Sequence, residues 1–188
     1  MSQPTPMQTQ LRALARLCDR VNEAIGRYIS WLTFAMVVAT FLIVILRYLF
    51  NLGWIAMQES VTYMHAFVFM LGAAYTLKHD GHVRVDIFYM KASKRTRAWV
   101  DLLGSLILLM PMMIFLFAIS WDYVAVSWSL LEESPETGGL HGVYLLKSSM
   151  LALGGLMFLQ GLSLAIHNAL FLMGIEPEPE HHTIAEMK

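Results

Sequence analysis

The sequence predicts an all-α integral membrane protein with four transmembrane helices, and three observations carry that prediction. Apolar residues make up 57% of the 188 and charged residues only 14%, well outside the usual soluble mixture. The apolar residues gather into four runs, each long enough for a bilayer core of about 30 Å, which takes roughly 20 helical residues. Lysines and arginines collect at two places, before the first run and between the second and third, and this kind of asymmetry orients membrane helices. The formal net charge of −1 matters less than where the charges sit. The one cysteine, Cys18, has no partner for an internal disulfide and reads as a small apolar residue.

Residues 1–10 are polar and carry Pro4 and Pro6, which predicts a disordered lead-in. From Leu11, the apolar positions Leu11, Leu14, Leu17, Cys18, Val21, Ile25 and Tyr28 follow helical spacing, while Arg12, Arg16, Arg20 and Arg27 lie on other faces with Asp19 and Glu23, which sets a helix over 11–27. This pattern predicts an amphipathic helix at the membrane interface; a surface helix on a soluble core is the alternative. The transmembrane domain is expected over 28–173, with spans near 28–46, 56–77, 100–121 and 143–173. The first span closes at Arg47 and Tyr48, and Asn51-Leu52-Gly53-Trp54 connects it to the second. A cleaved signal peptide fits poorly, because the run is long and no small-residue cleavage pattern precedes Arg47. Pro111 lies inside the third span, where its missing N–H and its ring predict a kink. Gly72, Gly104, Gly154, Gly155 and Gly161 are candidate points of close helix approach. Residues 174–188 form an acidic tail, Glu176-Pro177-Glu178-Pro179-Glu180-His181-His182 onward, read as solvated. A metal site at His181 and His182 is the competing reading.

Orientation follows from the basic residues. Four arginines precede the first span, and Lys78, Arg84, Lys91, Lys94, Arg95 and Arg97 fill the second-to-third connection. Both segments are expected in the cytoplasm, giving an N-in/C-in topology. The third-to-fourth connection carries Asp122, Glu132, Glu133 and Glu136 and is expected on the opposite side, the periplasm of a Gram-negative host.

Ionisable groups at membrane depth are functional candidates by default. Glu59 lies near the outer end of the second span, His65 near its middle, and Asp101 and Asp122 at the two ends of the third. Glu59 is open to pairing with a partner chain, to pairing with Arg47 across the short connector, or to plain interfacial hydration. No Gly-rich phosphate loop, paired cysteines, His-Glu-x-x-His or nucleophile elbow is present, so no enzyme constellation emerges. Haem held by His65 and His167 is the main cofactor alternative. Counted at 1.5 Å per residue, however, their depths differ, about 18 Å against about 5 Å, and internally satisfied polar histidines are the simpler reading. Four helices with no internal repeat and no polar lining suit an accessory subunit better than a self-sufficient transporter.

Specific residues then point to a family. Gly72-Ala73-Ala74-Tyr75, leading into His79-Asp80-Gly81-His82-Val83-Arg84-Val85-Asp86, resembles the signature of DctQ-type small subunits of tripartite ATP-independent periplasmic (TRAP) transporters. Gln58-Glu59, Trp128 with Glu132 and Ser134 before Gly138-Gly139-Leu140, and Leu159-Gln160-Gly161 add to it, over roughly Tyr28 to Ala169. The resemblance implies a non-enzymatic, cofactor-free subunit of the bacterial inner membrane. It would scaffold a large M-type permease subunit for ion-driven uptake of an organic acid delivered by a periplasmic solute-binding protein, with no nucleic-acid partner. A four-helix anchor of a respiratory enzyme is the alternative. Candidate contacts with partner chains or membrane lipids are Arg47, Glu59, His82, Arg84, Asp86, Glu132, Gly138, Gly139 and Gln160. For the group His82, Arg84 and Asp86 a generic positive-inside loop is the alternative, and for Glu132 to Glu136 a solvated acidic loop.

Overall fold

The computed structural model describes residues 6–82, 89 and 91–177, which build helices and short connections. Four helices are long and apolar enough to cross a membrane: α1 (Pro6–Phe50), α2 (Ile55–Lys78), α3 (Lys94–Ser129) and α4 (Val143–Leu172). Asn51, at φ 54°, starts the connector between α1 and α2, a conformation asparagine tolerates better than most residues.

No break separates 11–27 from the first span. The expected interfacial helix is the opening of a single 45-residue helix that already runs from Pro6, about 68 Å long at 1.5 Å per residue. No proline interrupts 7–50, and the only glycine there is Gly26. Aromatic side chains mark how much of this rod belongs in lipid. Tyr28 and Trp31 are exposed towards one end, Tyr48 and Trp54 towards the other. The roughly 20 residues from Tyr28 to Tyr48 cover about 30 Å, the thickness of a hydrocarbon core with aromatic residues at its borders. Residues 6–27 lie beyond that band.

The expected third span, 100–121, is the middle of the longer α3. The disturbance expected at Pro111 takes the form of a π-helical turn over Gly104–Leu109, closed by the Met110 N–H donating to the Ser105 carbonyl five residues back. In a regular α-helix the proline could not donate to Ile107, and its ring would strike that carbonyl. Widening the preceding turn relieves both problems.

α4 is the central element. It packs against α1, α2 and α3, while α1 also runs along α2, and it carries more buried residues than any other helix. Its second half lies antiparallel to residues 12–22 of α1, bringing the described chain ends together, with Arg12 against Ile175. Close approach depends on glycine at a few points. A Cβ on Gly26 would lie 2.3 Å from Tyr75 Cγ, one on Gly161 3.0 Å from Leu109 Cδ2, and one on Gly154 3.3 Å from the Met113 carbonyl. Gly104 and Gly155 face open space, and Gly72 meets only Ile29 at 4.0 Å.

Gly26→Ala should therefore destabilise the folded chain in detergent by about 1–3 kcal/mol, because the tyrosine ring root cannot move aside without shifting α2. Gly155→Ala, in a helix and unopposed, should be neutral or stabilising by up to about 1 kcal/mol. Thermal unfolding of the two variants side by side checks both.

Candidate functional site

Two polar clusters fasten the ends of the bundle, and the first joins α1 to α4. Small or polar residues at 15, 18, 22 and 26 put Ala15, Cys18, Asn22 and Gly26 on one buried stripe, spaced for one helix face. Asp19 lies beside that stripe. Its carboxylate accepts from Ser163 Oγ at 2.7 Å and Gln160 Nε2 at 3.2 Å, and meets His167 Nε2 at 3.1 Å. Asn22 Nδ2 donates to Gln160 Oε1 at 2.9 Å. The other ring nitrogen of His167 meets Glu176 at 2.9 Å, and Glu176 pairs with Arg12 at 2.9 Å. Burial works against the Asp19 carboxylate, but the hydrogen bonds from His167, Ser163 and Gln160 outweigh it and hold its pKa below the usual value. One turn on, Glu23 accepts from Lys78 at 2.7 Å, meets His79 at 2.9 Å and accepts from Arg27 at 3.2 Å, which ties α1 to the end of α2. Lys78 and His79 are the main reasons its pKa falls to about 2.

The second cluster closes the opposite end. Glu59, in the second turn of α2, accepts from Ser134 Oγ and, at 2.7 Å, from the Leu140 N–H. Gly139 makes this possible: a Cβ there would lie 2.4 Å from Ser134 Oγ and 2.8 Å from Glu59 Oε2. Gly138 next to it turns at φ 81°, a region glycine enters freely. Glu132 accepts from Lys147 and, at 2.6 Å, from Ser127 Oγ. The Lys147 hydrogen bond leads in pulling the Glu132 pKa below its ordinary value. Lys147 also sits 4.0 Å over the Tyr123 ring, and Glu133 pairs with His141 at 2.9 Å.

Of the residues singled out in the sequence, Glu59, Glu132, Gly138 and Gly139 come together in this second cluster. Gln160 is buried in the first. Arg47 is exposed in the last turn of α1 and, among the described residues, makes no ion pair with Glu59. His82 is exposed beside a cleft of about 320 Å³ that also involves Asp80, Asp101 and Ser105. Arg84 and Asp86 lie outside the described residues. The expectation of internally satisfied histidines holds for His167 but not for His65, which is exposed on α2 and, among the described residues, makes only a ring contact with Phe69. Among the described residues no three His, Cys, Asp or Glu side chains are grouped to hold a metal ion. Sequence reading missed Asp19, Asn22 and Glu176 as partners of α4. The available signal was the narrow stripe of small and polar residues within 15–26.

Both clusters fasten helix to helix or helix to loop. The family model for the DctQ component of tripartite ATP-independent periplasmic transporters matches residues 36–170. The chain belongs to this family. As a DctQ component it is a multi-pass protein of the bacterial inner membrane and a transport component rather than an enzyme, which does not favour the respiratory-anchor alternative. A curated relative, the C4-dicarboxylate TRAP transporter small permease protein DctQ of Vibrio cholerae serotype O1, is 28% identical over 116 residues. That match takes in 62% of this chain and 48% of the relative, so the chain spans about half the length of the protein it resembles. No solved structure matches. The whole of the buried α1 stripe, Ala15 to Gly26, lies before the matched region.

Two predictions follow from the geometry. Because the folded pKa of Glu23 is depressed from 4.5 to about 2, its stabilisation is fully present above the unfolded value and drains away as pH falls through that window. Glu23→Gln should cost about 1 kcal/mol near neutral pH, and the gap from the parent chain should narrow as thermal unfolding is repeated towards pH 3. Glu59→Ala should release the α3–α4 loop, raising amide hydrogen exchange at Ser134, Leu140 and their neighbours about tenfold with the helices still protected.

Proposed function

We propose that the chain is the small, scaffolding subunit of a TRAP-type secondary transporter. It braces a large M-type permease subunit that carries the substrate and ion sites, and a periplasmic binding protein delivers the organic acid. The family match over 36–170 carries this reading, and the distribution of ionisable groups supports it. Asp19, Glu23 and His167 are engaged at one end and Glu59 and Glu132 at the other, while α1, α2 and α4 run uninterrupted between them. Transport sites are usually built at midplane from interrupted helices. The arginines before Tyr28 and the acidic residues 132–136 support an N-in/C-in orientation, with the α3–α4 loop in the periplasm. The relative is named for C4-dicarboxylates, which makes small dicarboxylates the first substrates to try.

Purification from native membrane in mild detergent should recover a large polytopic permease in near-equal amount by mass spectrometry. Liposomes should then take up substrate only when they hold both chains, with the binding protein and an ion gradient supplied. Recovery with soluble redox subunits, or uptake by this chain alone, would overturn the reading.

A further inference from the structure

A helix surface that faces lipid should be apolar, and two outer faces of the bundle obey this. From Leu103 to Trp121 the exposed side chains of α3 are all apolar, and Ser105 and Ser120 are buried. From Trp31 to Leu46, α1 exposes aromatic and aliphatic side chains interrupted only by Thr33 and Thr40, and the Thr40 hydroxyl donates to the Met36 carbonyl of its own helix.

α2 differs. Its exposed residues are Ile55, Gln58, Thr62, His65 and Phe69. The last four fall at i, i+4, i+7 and i+11, a single stripe, and three of them are polar. Among the described residues the side chains of Gln58, Thr62 and His65 make no hydrogen bond; the His65 ring meets only Phe69, at 6.5 Å between centroids. His65 lies about ten residues from the start of α2, roughly 15 Å in and half-way through a bilayer core. No water is available there to the imidazole N–H and lone pair, and polar groups unpartnered in hydrocarbon are costly.

We infer that this stripe is the docking face for a membrane-spanning helix of the large permease subunit, which presents a hydrogen-bonding side chain opposite His65. The inference rests on the reading of the chain as a small TRAP permease subunit. The partner has to be a spanning protein, because the unmatched groups are at membrane depth. A second copy of this chain could offer only the same stripe, since α1 and α3 expose no amide or imidazole at this depth.

A photo-activated cross-linking residue placed singly at 62, 65 or 69, and at 107 or 114 on the outer face of α3, tests this in native membranes expressing the whole transporter. Adducts with the large permease subunit are expected from the α2 positions and not from α3. His65→Leu should lower recovery of the large subunit about fivefold, with His65→Gln restoring most of it and the monomer's thermal unfolding unchanged in both. If the parent chain co-purifies with the large subunit but the α2 positions give adducts only with lipid or a second copy, or none, the face is wrongly assigned. If the parent chain does not co-purify with a large permease at all, the underlying functional reading fails as well.

Discussion

The carboxylate of Asp19, held by Ser163, Gln160 and His167 of α4, is the interaction on which the architecture at the termini depends. In lipid the hydrophobic effect gives two helices no reason to adhere, since hydrocarbon chains solvate leucine as well as another helix does. Association falls to close packing and to polar groups that find one another. Asp19 is only partly buried, so it avoids the penalty of a charge sealed in a dry core, while its partners lie in the second half of α4. With that contact in place, Ala15, Cys18 and Gly26 bring the backbones together, and residues 6–27 become part of the bundle.

The middle of the molecule is held differently. α3 approaches α4 at Gly154 and Gly161, with the π turn before Pro111 seated over Gly161. Shape, rather than charge, fixes this seam. A proline and a glycine in different spans, Pro111 in α3 and Gly161 in α4, act together, one setting the contour and the other leaving room for it. The exposed surfaces of α1 and α3 are the apolar remainder, suited to lipid without further design.

The four spans could be read in the sequence because long apolar runs and clustered lysines and arginines report on the solvent, which acts on every residue alike. The family could be read because its motif runs along one stretch of chain. The inward face of 11–27 could not. The large apolar residues Leu14, Leu17 and Val21 dominate the periodicity, yet they are exposed, and the buried stripe is the small and polar one. The partners of Glu59 were hidden for another reason: Ser134 and Leu140 are 75 and 81 residues away, and no local pattern encodes that contact. Gly139 stood out as a glycine, but the need for it appears only once Glu59 and Ser134 are seen occupying the space of its missing side chain. His65 was misjudged because sequence gives depth along a helix but not azimuth around it.

Glu59 grips the backbone of the α3–α4 loop from near the top of α2, and α2 is a straight run of hydrogen-bonded turns with no glycine or proline before Gly72. A load applied to the loop is therefore delivered along the axis of α2 as tension or compression, instead of being dissipated in a slack connection. The carboxylate works as a rivet between the loop and a strut, so the α3–α4 loop is tied to α2 through Ser134 and the Leu140 backbone.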